Sequence, residues 1–497
     1  VAESESVGIY KLRTPVSPAA TVVENKNLDT LDTESMPMTV YAAGADAVKH
    51  FSLSANGDSL AIVEHMPRPL DHGARTRVRR IDVSSGEEVH RWLCTDLAEI
   101  PSLISGVDVA FLGNGDRLAI ASSIPGNLLV LSDNGFEVPG GVGIDVVRWP
   151  ATIEDGVAKW NRPAEQGDQR EVCAAVAVRI PRALYLSRET LEFELTTAKG
   201  NVTCVANDQI LESRGWFLLT IGQLTPEDLS GGWTLTAKLT ANGLSLRAFE
   251  PGSSSGDDVV SVGDVYLFPT ADEHGKDVLL GPLAGRGDGG LSCTVRSSWL
   301  HQWNGNLGQQ TAKPWQDFIN SQEDVADVSA AYDQTLVGSD SGVVVLLDST
   351  GQRRLLQDGE KASTDTRDRI TATAIAHDGG FAVAGSAGGQ LRVYDLRSPK
   401  NAPAFITDAH SRPISTVSIS DDGQLVASAA EDGSLRFWKR LPNQLELIFE
   451  MTNDAVPVVE MQLSPGGDFL YLLRQGERGV RRLNVGQLMR LFQSNGL

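Results

Sequence analysis

The stretch that decides the fold runs from His410 to Trp438: His410-Ser411-Arg412-Pro413-Ile414, then Ser415 to Ser420, Asp421-Asp422-Gly423, Leu425 to Ala429, Glu431-Asp432-Gly433, and Leu435 to Trp438. Ile414, Val417 and Ile419 open a β-branched run, and Asp422-Gly423 supplies the positive φ that a short hairpin turn needs. Leu425 to Ser428 reads as a second strand and Asp432-Gly433 as a second turn. Leu435-Arg436-Phe437-Trp438 reads as a third strand with alternating apolar residues. One such sheet cannot bury both of its faces. It needs copies of itself.

The copies are present. Val48-Lys49-His50-Phe51-Ser52-Leu53 leads to Asn56-Gly57-Asp58, and Val107 to Leu112 leads to Asn114-Gly115-Asp116. Ile370 to Ala376 leads to Asp378-Gly379, and Val458 to Leu463 leads to Pro465-Gly466-Gly467-Asp468. The turn glycines Gly379, Gly423 and Gly467 follow one another at intervals of 44 residues. A degenerate copy, Val325 to Tyr332 with Asp333-Gln334 at its turn, lies 45 residues earlier. A period of about 40–45 residues with four strands per unit is the signature of a propeller blade. The expected fold is all-β, a propeller of about seven four-stranded blades with a small β-sandwich-like domain inserted.

On these residues the chain resembles the WD40 repeat proteins. In that family a His before the first strand, a Ser or Thr in the second, an Asp in the turn and a Trp in the third form a buried hydrogen-bonded chain. His410, Ser428, Asp432 and Trp438 stand at similar positions, while Lys439 replaces the Asp that usually follows the Trp. Other repeats keep fragments such as Tyr394-Asp395 and Leu347-Asp348. The resemblance covers residues 320–497 well and 40–140 more loosely. It implies an architecture and protein–protein scaffolding, and says little about activity. Under it the interaction residues are expected in the d–a and b–c loops facing one side, for example Arg367, Arg369, His377 and Arg412.

The totals set outer limits. A chain of 497 residues calls for one large closed architecture or two to three domains. With 43 basic and 64 acidic residues the net charge is −21, which repels phosphate backbones and disfavours nucleic acid as a main partner. No run of eighteen apolar residues exists, so no membrane span is expected. The sequence opens at Val1 rather than Met, which implies trimming. The compartment is therefore open: soluble, and periplasmic, extracytoplasmic or membrane-associated if a leader was removed. The cysteines Cys94, Cys173, Cys204 and Cys293 have no C-x-x-C spacing, and Cys173 with Cys204 either pair or stay as buried thiols.

In order, residues 1–38 read as an extended arm, part of which could add a strand to close the ring, and 39–144 as two blades. Residues 145–258 read as the insert, and 259–497 as the remaining blades with a short C-terminal helix. Within the insert region Trp149 to Gln169 looks irregular. Val172 to Ile180, Leu191 to Thr197, Trp216 to Ile221 and Trp233 to Leu239 are long strands spaced unlike blades, so a β-sandwich over 165–252 competes with two eroded blades. Val259 to Leu267 and Leu291 to Trp303 are expected to share the third blade. Val485, Leu488, Met489 and Phe492 fall at helical spacing, which predicts a helix packed on the last blade.

No catalytic, cofactor or metal residues are assigned. The eight histidines contain no H-x-x-x-H or H-E-x-x-H pair, His65 and His72 share a solvated loop, and His377 sits by a turn. The Asp272 to Asp277 run lacks calcium-loop spacing. Gly252-Ser253-Ser254-Ser255-Gly256 has the letters of a nucleophile elbow in a Ser/Gly linker. Arg286-Gly287-Asp288 is an adhesion tripeptide by chance, and Asn201-Val202-Thr203 a glycosylation acceptor in form. The function expected is a non-catalytic scaffold binding protein partners. The alternative is a propeller enzyme or a carbohydrate or peptide receptor using the insert. It draws on Trp149, Trp160, Trp216, Trp233, Trp299, Trp303 and Trp315, and an exposed pair of them lining a groove would favour it.

Overall fold

The computed structural model describes residues 38–42, 47–66, 75–96, 108–113, 115–121, 128–137, 147–162, 171–180, 191–206, 215–240, 244–249, 258–269, 280–285, 290–295, 299–304, 307, 310–314, 324–331, 333–348, 352–356, 365–451 and 456–494. The arm proposed for residues 1–38 lies outside this set except for Met38, as do the runs 272–277, 252–256 and 286–288, and His72. The chain divides into two compact units, one of 1–58, 111–115 and 282–497, the other of 59–110 and 116–281.

The first unit carries the repeats. Four-stranded sheets begin at Leu280, Val325, Ile370, Ile414 and Val458, and each is named here by that residue, with strands a to d counted across the sheet from it. The Ile414 blade comprises Ile414–Ile419, Leu425–Ala430, Leu435–Leu441 and Gln444–Met451. Its a–b turn places Gly423 at φ +66°, and the matching Gly379 and Gly467 stand at +65° and +73°, so the glycine spacing marks real hairpins. Phe437 and Phe449 stack at 4.2 Å, and Ala427, Leu435, Leu470 and Leu483 join them in a core shared with the Val458 blade.

A blade's innermost strand has one edge with no strand beside it, and its amides need acceptors. The neighbouring blade supplies them. Asp327 Oδ2 accepts from the amide of Thr373 (2.5 Å), Ser418 Oγ from Leu463 (2.8 Å), Glu460 Oε2 from Phe51 (3.0 Å) and Gln462 Oε1 from Leu53 (2.8 Å). Packing follows the same repeat. A Cβ on Gly338 would stand 2.4 Å from Ile370 Cγ2, and one on Gly385 2.6 Å from Ile414 Cγ2, so each b strand is bare where the next blade's leading isoleucine docks. Both isoleucines are buried. The a strands also share a one-residue register shift, between Val325 and Asp327, Ile370 and Ala372, Ile414 and Thr416, and Val458 and Glu460. In the Ile414 blade the bulged Ser415 donates its hydroxyl to the carbonyl of Val458 at 2.7 Å, tying two blades together.

The last sheet corrects the expectation that the first blade starts at Thr39. Met38–Ala42 pairs antiparallel with Gly479–Asn484, Met38 opposite Leu483 and Tyr41 opposite Val480, and so becomes the outer strand of the Val458 blade. The helix Val485–Ser494 follows that blade directly, with Val485 and Leu488 buried in its core, as the apolar spacing predicts.

The second unit includes two facing sheets, and a separate four-stranded sheet has the order Asp108–Leu112, Arg117–Ala121, Leu128–Ser132, Gly135–Glu137. Ser59–Met66, Arg75–Asp82 and Glu88–Asp96 are antiparallel neighbours. Beyond them Gly215–Leu224 pairs in parallel with Glu88–Asp96, and the sheet continues through Val172–Ile180, Val259–Pro269 and Val147–Trp149. Strand Val259–Pro269 therefore lies with the middle segments, not with Leu291–Trp303. Its long, nearly unbroken apolar run suits a strand covered on both faces. The facing sheet has the order Thr152–Glu154, Val157–Arg162, Trp233–Leu239, Leu191–Thr197, Gly200–Ala206. Two of these strands fall in the stretch read as irregular, because Val157-Ala158-Lys159-Trp160 alternates between a solvated and a buried face. Trp160, Phe193, Leu235, Val176, Phe217 and Leu219 fill the core between the sheets. The Leu224-to-Asp228 corner is a short helix, Pro226–Gly231, opened by a capping box at Thr225.

All four cysteines are buried, and none of them is in a disulfide. Among the described residues no helix is long and apolar enough to cross a membrane. Tyr41→Pro removes an amide from the outer strand of the last blade and should lower the unfolding free energy by about 2–3 kcal/mol. Hydrogen exchange should then speed up at Gly479–Asn484, and unchanged exchange there would contradict the pairing.

Candidate functional site

In the Ile414 blade the four residues singled out from the sequence come together with a fifth. Trp438 Nε1 donates to Ser428 Oγ at 2.9 Å, and Ser428 Oγ lies 2.7 Å from His410 Nε2. His410 Nδ1 lies 3.0 Å from Ser434 Oγ, and Ser434 donates to Asp432 Oδ1 at 2.6 Å. Asp432 is acceptor-only when ionised, so Ser434 spends its proton on it and must accept from His410 Nδ1–H. His410 Nε2 is then the acceptor of the Ser428 hydroxyl. All protons point one way, from the Trp438 indole through Ser428, His410 and Ser434 to the Asp432 carboxylate. Ser434, the residue after the Asp432-Gly433 turn, is the link that sequence reasoning missed.

Burial, with the nearby Arg436 charge, pushes the His410 pKa down to about 4, which keeps the ring neutral. Burial also raises the Asp432 carboxyl, but the hydroxyl and amide of Ser434 outweigh it and hold the group below its ordinary value. The arrangement is a structural brace. It locks the loop before Ile414 against the second and third strands of its own blade.

Backbone hydrogen bonds to a neighbouring turn hold this d–a loop and the one before it. Gly388 donates to the carbonyl of Arg367 (2.8 Å), Ala387 to Arg369 (2.9 Å), and His410 to Gly389 (2.9 Å). Arg392 adds a second tie, reaching the Gly342 carbonyl and Asp368 at 2.9 Å each. A single b–c turn, Ala387-Gly388-Gly389, thus carries two successive arginine loops. The Arg367 side chain is 83% exposed, Arg412 is exposed, and Arg369 meets Asp340 at 2.8 Å. Asp340, Thr366, Arg367, Arg369 and Ala387 line a shallow open depression.

His377 does not join them. It follows strand Ile370–Ile375, whereas Arg367 and Arg369 precede it, so the histidine lies at the opposite end of the blade. There the a–b turns are laced together, Asp378 donating to the Asp421 carbonyl (3.4 Å) and Asp421 to that of Pro465 (3.1 Å). Burial raises the Asp421 carboxyl, with His377 acting the other way. The earlier grouping fails because a–b turns and d–a loops cap opposite ends of the same strands.

Trp160, Trp216, Trp233 and Trp303 are buried, and Trp216 Nε1 donates to the Asp133 carbonyl at 3.2 Å. The side chains of Trp149 and Trp299, the side chain of His65, and all of Trp315 lie outside the described residues. Asn201 is exposed on an edge strand, its amide donating to Glu194 at 2.8 Å.

Residues 294–464 match the family of nucleolar protein 10-like N-terminal β-propeller domains. The zebrafish (Danio rerio) apoptotic protease-activating factor 1 is 26% identical over 165 residues, which is 30% of this chain and 12% of that protein. The chain thus spans about an eighth of that relative's length. Among solved structures, the RRP9 WD40 repeats are similar with a TM-score of 0.48 at 12% identity, covering 90% of this chain and 97% of that one. A chain from a mitotic checkpoint complex is similar with a TM-score of 0.48 at 11% identity, covering 95% and 98%.

Unfolded, the His410 ring takes a proton near pH 6.5, but in the folded blade only near pH 4. Its contribution to stability is whole above pH 6.5 and is lost as the pH falls toward 4, by roughly 3 kcal/mol. His410→Gln should flatten that part of the urea-midpoint profile, and an unchanged slope would refute the assignment. Gly389 stands at φ +80° with its would-be Cβ 2.1 Å from the His410 carbonyl oxygen. Gly389→Ala should therefore cost about 2 kcal/mol or more in thermal or urea unfolding.

Proposed function

We propose that this WD40-repeat β-propeller protein is a non-catalytic scaffold that holds protein partners on the end of its C-terminal blades where the d–a and b–c loops emerge. The observation that supports this most is the shared mounting of Arg367 and Arg412. Their loops are fixed by backbone hydrogen bonds to one turn, while the guanidinium groups project into solvent. A rigid backbone with exposed arginines loses little conformational entropy on binding, and arginine is favoured at interface hot spots. The net charge of −21 supports protein over nucleic acid as the partner class. The receptor reading is weaker, because Trp160, Trp216, Trp233 and Trp303, four of the seven tryptophans it draws on, are core residues.

The doubly reversed variant Arg367→Glu/Arg412→Glu should leave the melting temperature within about 2 °C of wild type, since both side chains are exposed. It should also lose most of the proteins that co-purify with the tagged wild-type chain, whereas His377→Ala should keep them. Retention of the same set by the double variant, quantified by mass spectrometry, would overturn the proposal.

A further inference from the structure

The facing sheet of the second unit has two unlike edges. At one, Thr152–Glu154 is only three residues long, follows Pro150, and carries Glu154 in an ion pair with Lys159 at 2.6 Å. Short length, a proline and charge are the devices that stop a sheet edge from recruiting another strand. At the other edge Gly200–Ala206 has seven residues, Gly-Asn-Val-Thr-Cys-Val-Ala, with no charge, no proline and unbroken register against Leu191–Thr197. Among the described residues no strand lies on its far side. Val202 is 47% and Val205 42% exposed, one on each face of the strand.

We infer that Gly200–Ala206 is a docking edge for an extended, basic segment of a partner protein, which adds to the sheet as one more strand. Main-chain bonds to the open edge would give affinity, and alternate side chains would cover the two valines. The charge preference comes from the strand behind. Glu192 stands opposite Val205 and Glu194 opposite Thr203, both exposed on the outer face, with Lys238 beside Glu192 only. A lysine or arginine on an added strand lies two strand spacings away, about 10 Å, within reach of those carboxylates. A second copy of this chain fits worse, since antiparallel pairing would bring together two molecules each of charge −21 and offer no basic residue from the strand itself.

The test uses the full chain and two fluorescent peptides matched to the 7 residues of the strand. Each alternates valine and threonine, one with lysine at both ends and one with glutamate. The lysine peptide should bind about tenfold more tightly by anisotropy, a preference that weakens with salt. It should slow amide exchange across residues 200–206. Val205→Lys, at an exposed position, should weaken that peptide by about fivefold without changing the melting curve. Equal affinity for both peptides, or protection elsewhere with none at 200–206, would overturn the inference. So would concentration-dependent dimers, detected by sedimentation, that protect 200–206 without peptide.

Discussion

A four-stranded sheet with an open inner edge cannot stand by itself, and in the repeat unit each blade finishes its neighbour. The acceptors are side chains, Asp327, Ser418, Glu460 and Gln462, aimed at amides of the following inner strand. An unpaired buried amide costs about 1–3 kcal/mol, so each of these bonds prevents a loss more than it adds a gain. Gly338 and Gly385 then leave the space that the next blade's isoleucine fills, where a Cβ would collide with it. Stability of such a unit is a property of interfaces as much as of blades.

Site and scaffold are consequences of that arrangement. The polar chain from Trp438 to Asp432 is buried except at its carboxylate end and oriented in one direction, and it fixes the d–a loop before Ile414. From that loop, and from its predecessor, arginines project outward over one glycine turn. Each side chain of that brace bonds to the next, so its role is to hold the loop in place. What remains available is surface, held still.

Legibility in the sequence followed locality. Hairpins closed by Gly379, Gly423 and Gly467 declare themselves within ten residues, and so does the C-terminal helix, while the tetrad positions fall within a single repeat. Ser434 escaped notice because a serine after Asp-Gly also serves as an ordinary turn residue, bonding Asp432 through its amide at 3.0 Å. The recurring shift at Ala326, Thr371, Ser415 and Val459 leaves no compositional trace. The middle of the chain was hardest, since the parallel pairing of Trp216 with Trp92 joins residues far apart in sequence. No turn signal reports such a contact. The end on which a loop lies is a matter of strand direction, which is why His377 was misplaced beside the arginines.

The pairing of Met38–Ala42 with Gly479–Asn484 has a temporal side. During synthesis one of these strands leaves the ribosome long before the other exists, so its bonding groups wait while every intervening blade is made. That interval exposes an unsatisfied ribbon of Met-Thr-Val-Tyr-Ala to any other edge it meets. The completed molecule gains a latch in return, and the vulnerability belongs to birth and not to the finished fold.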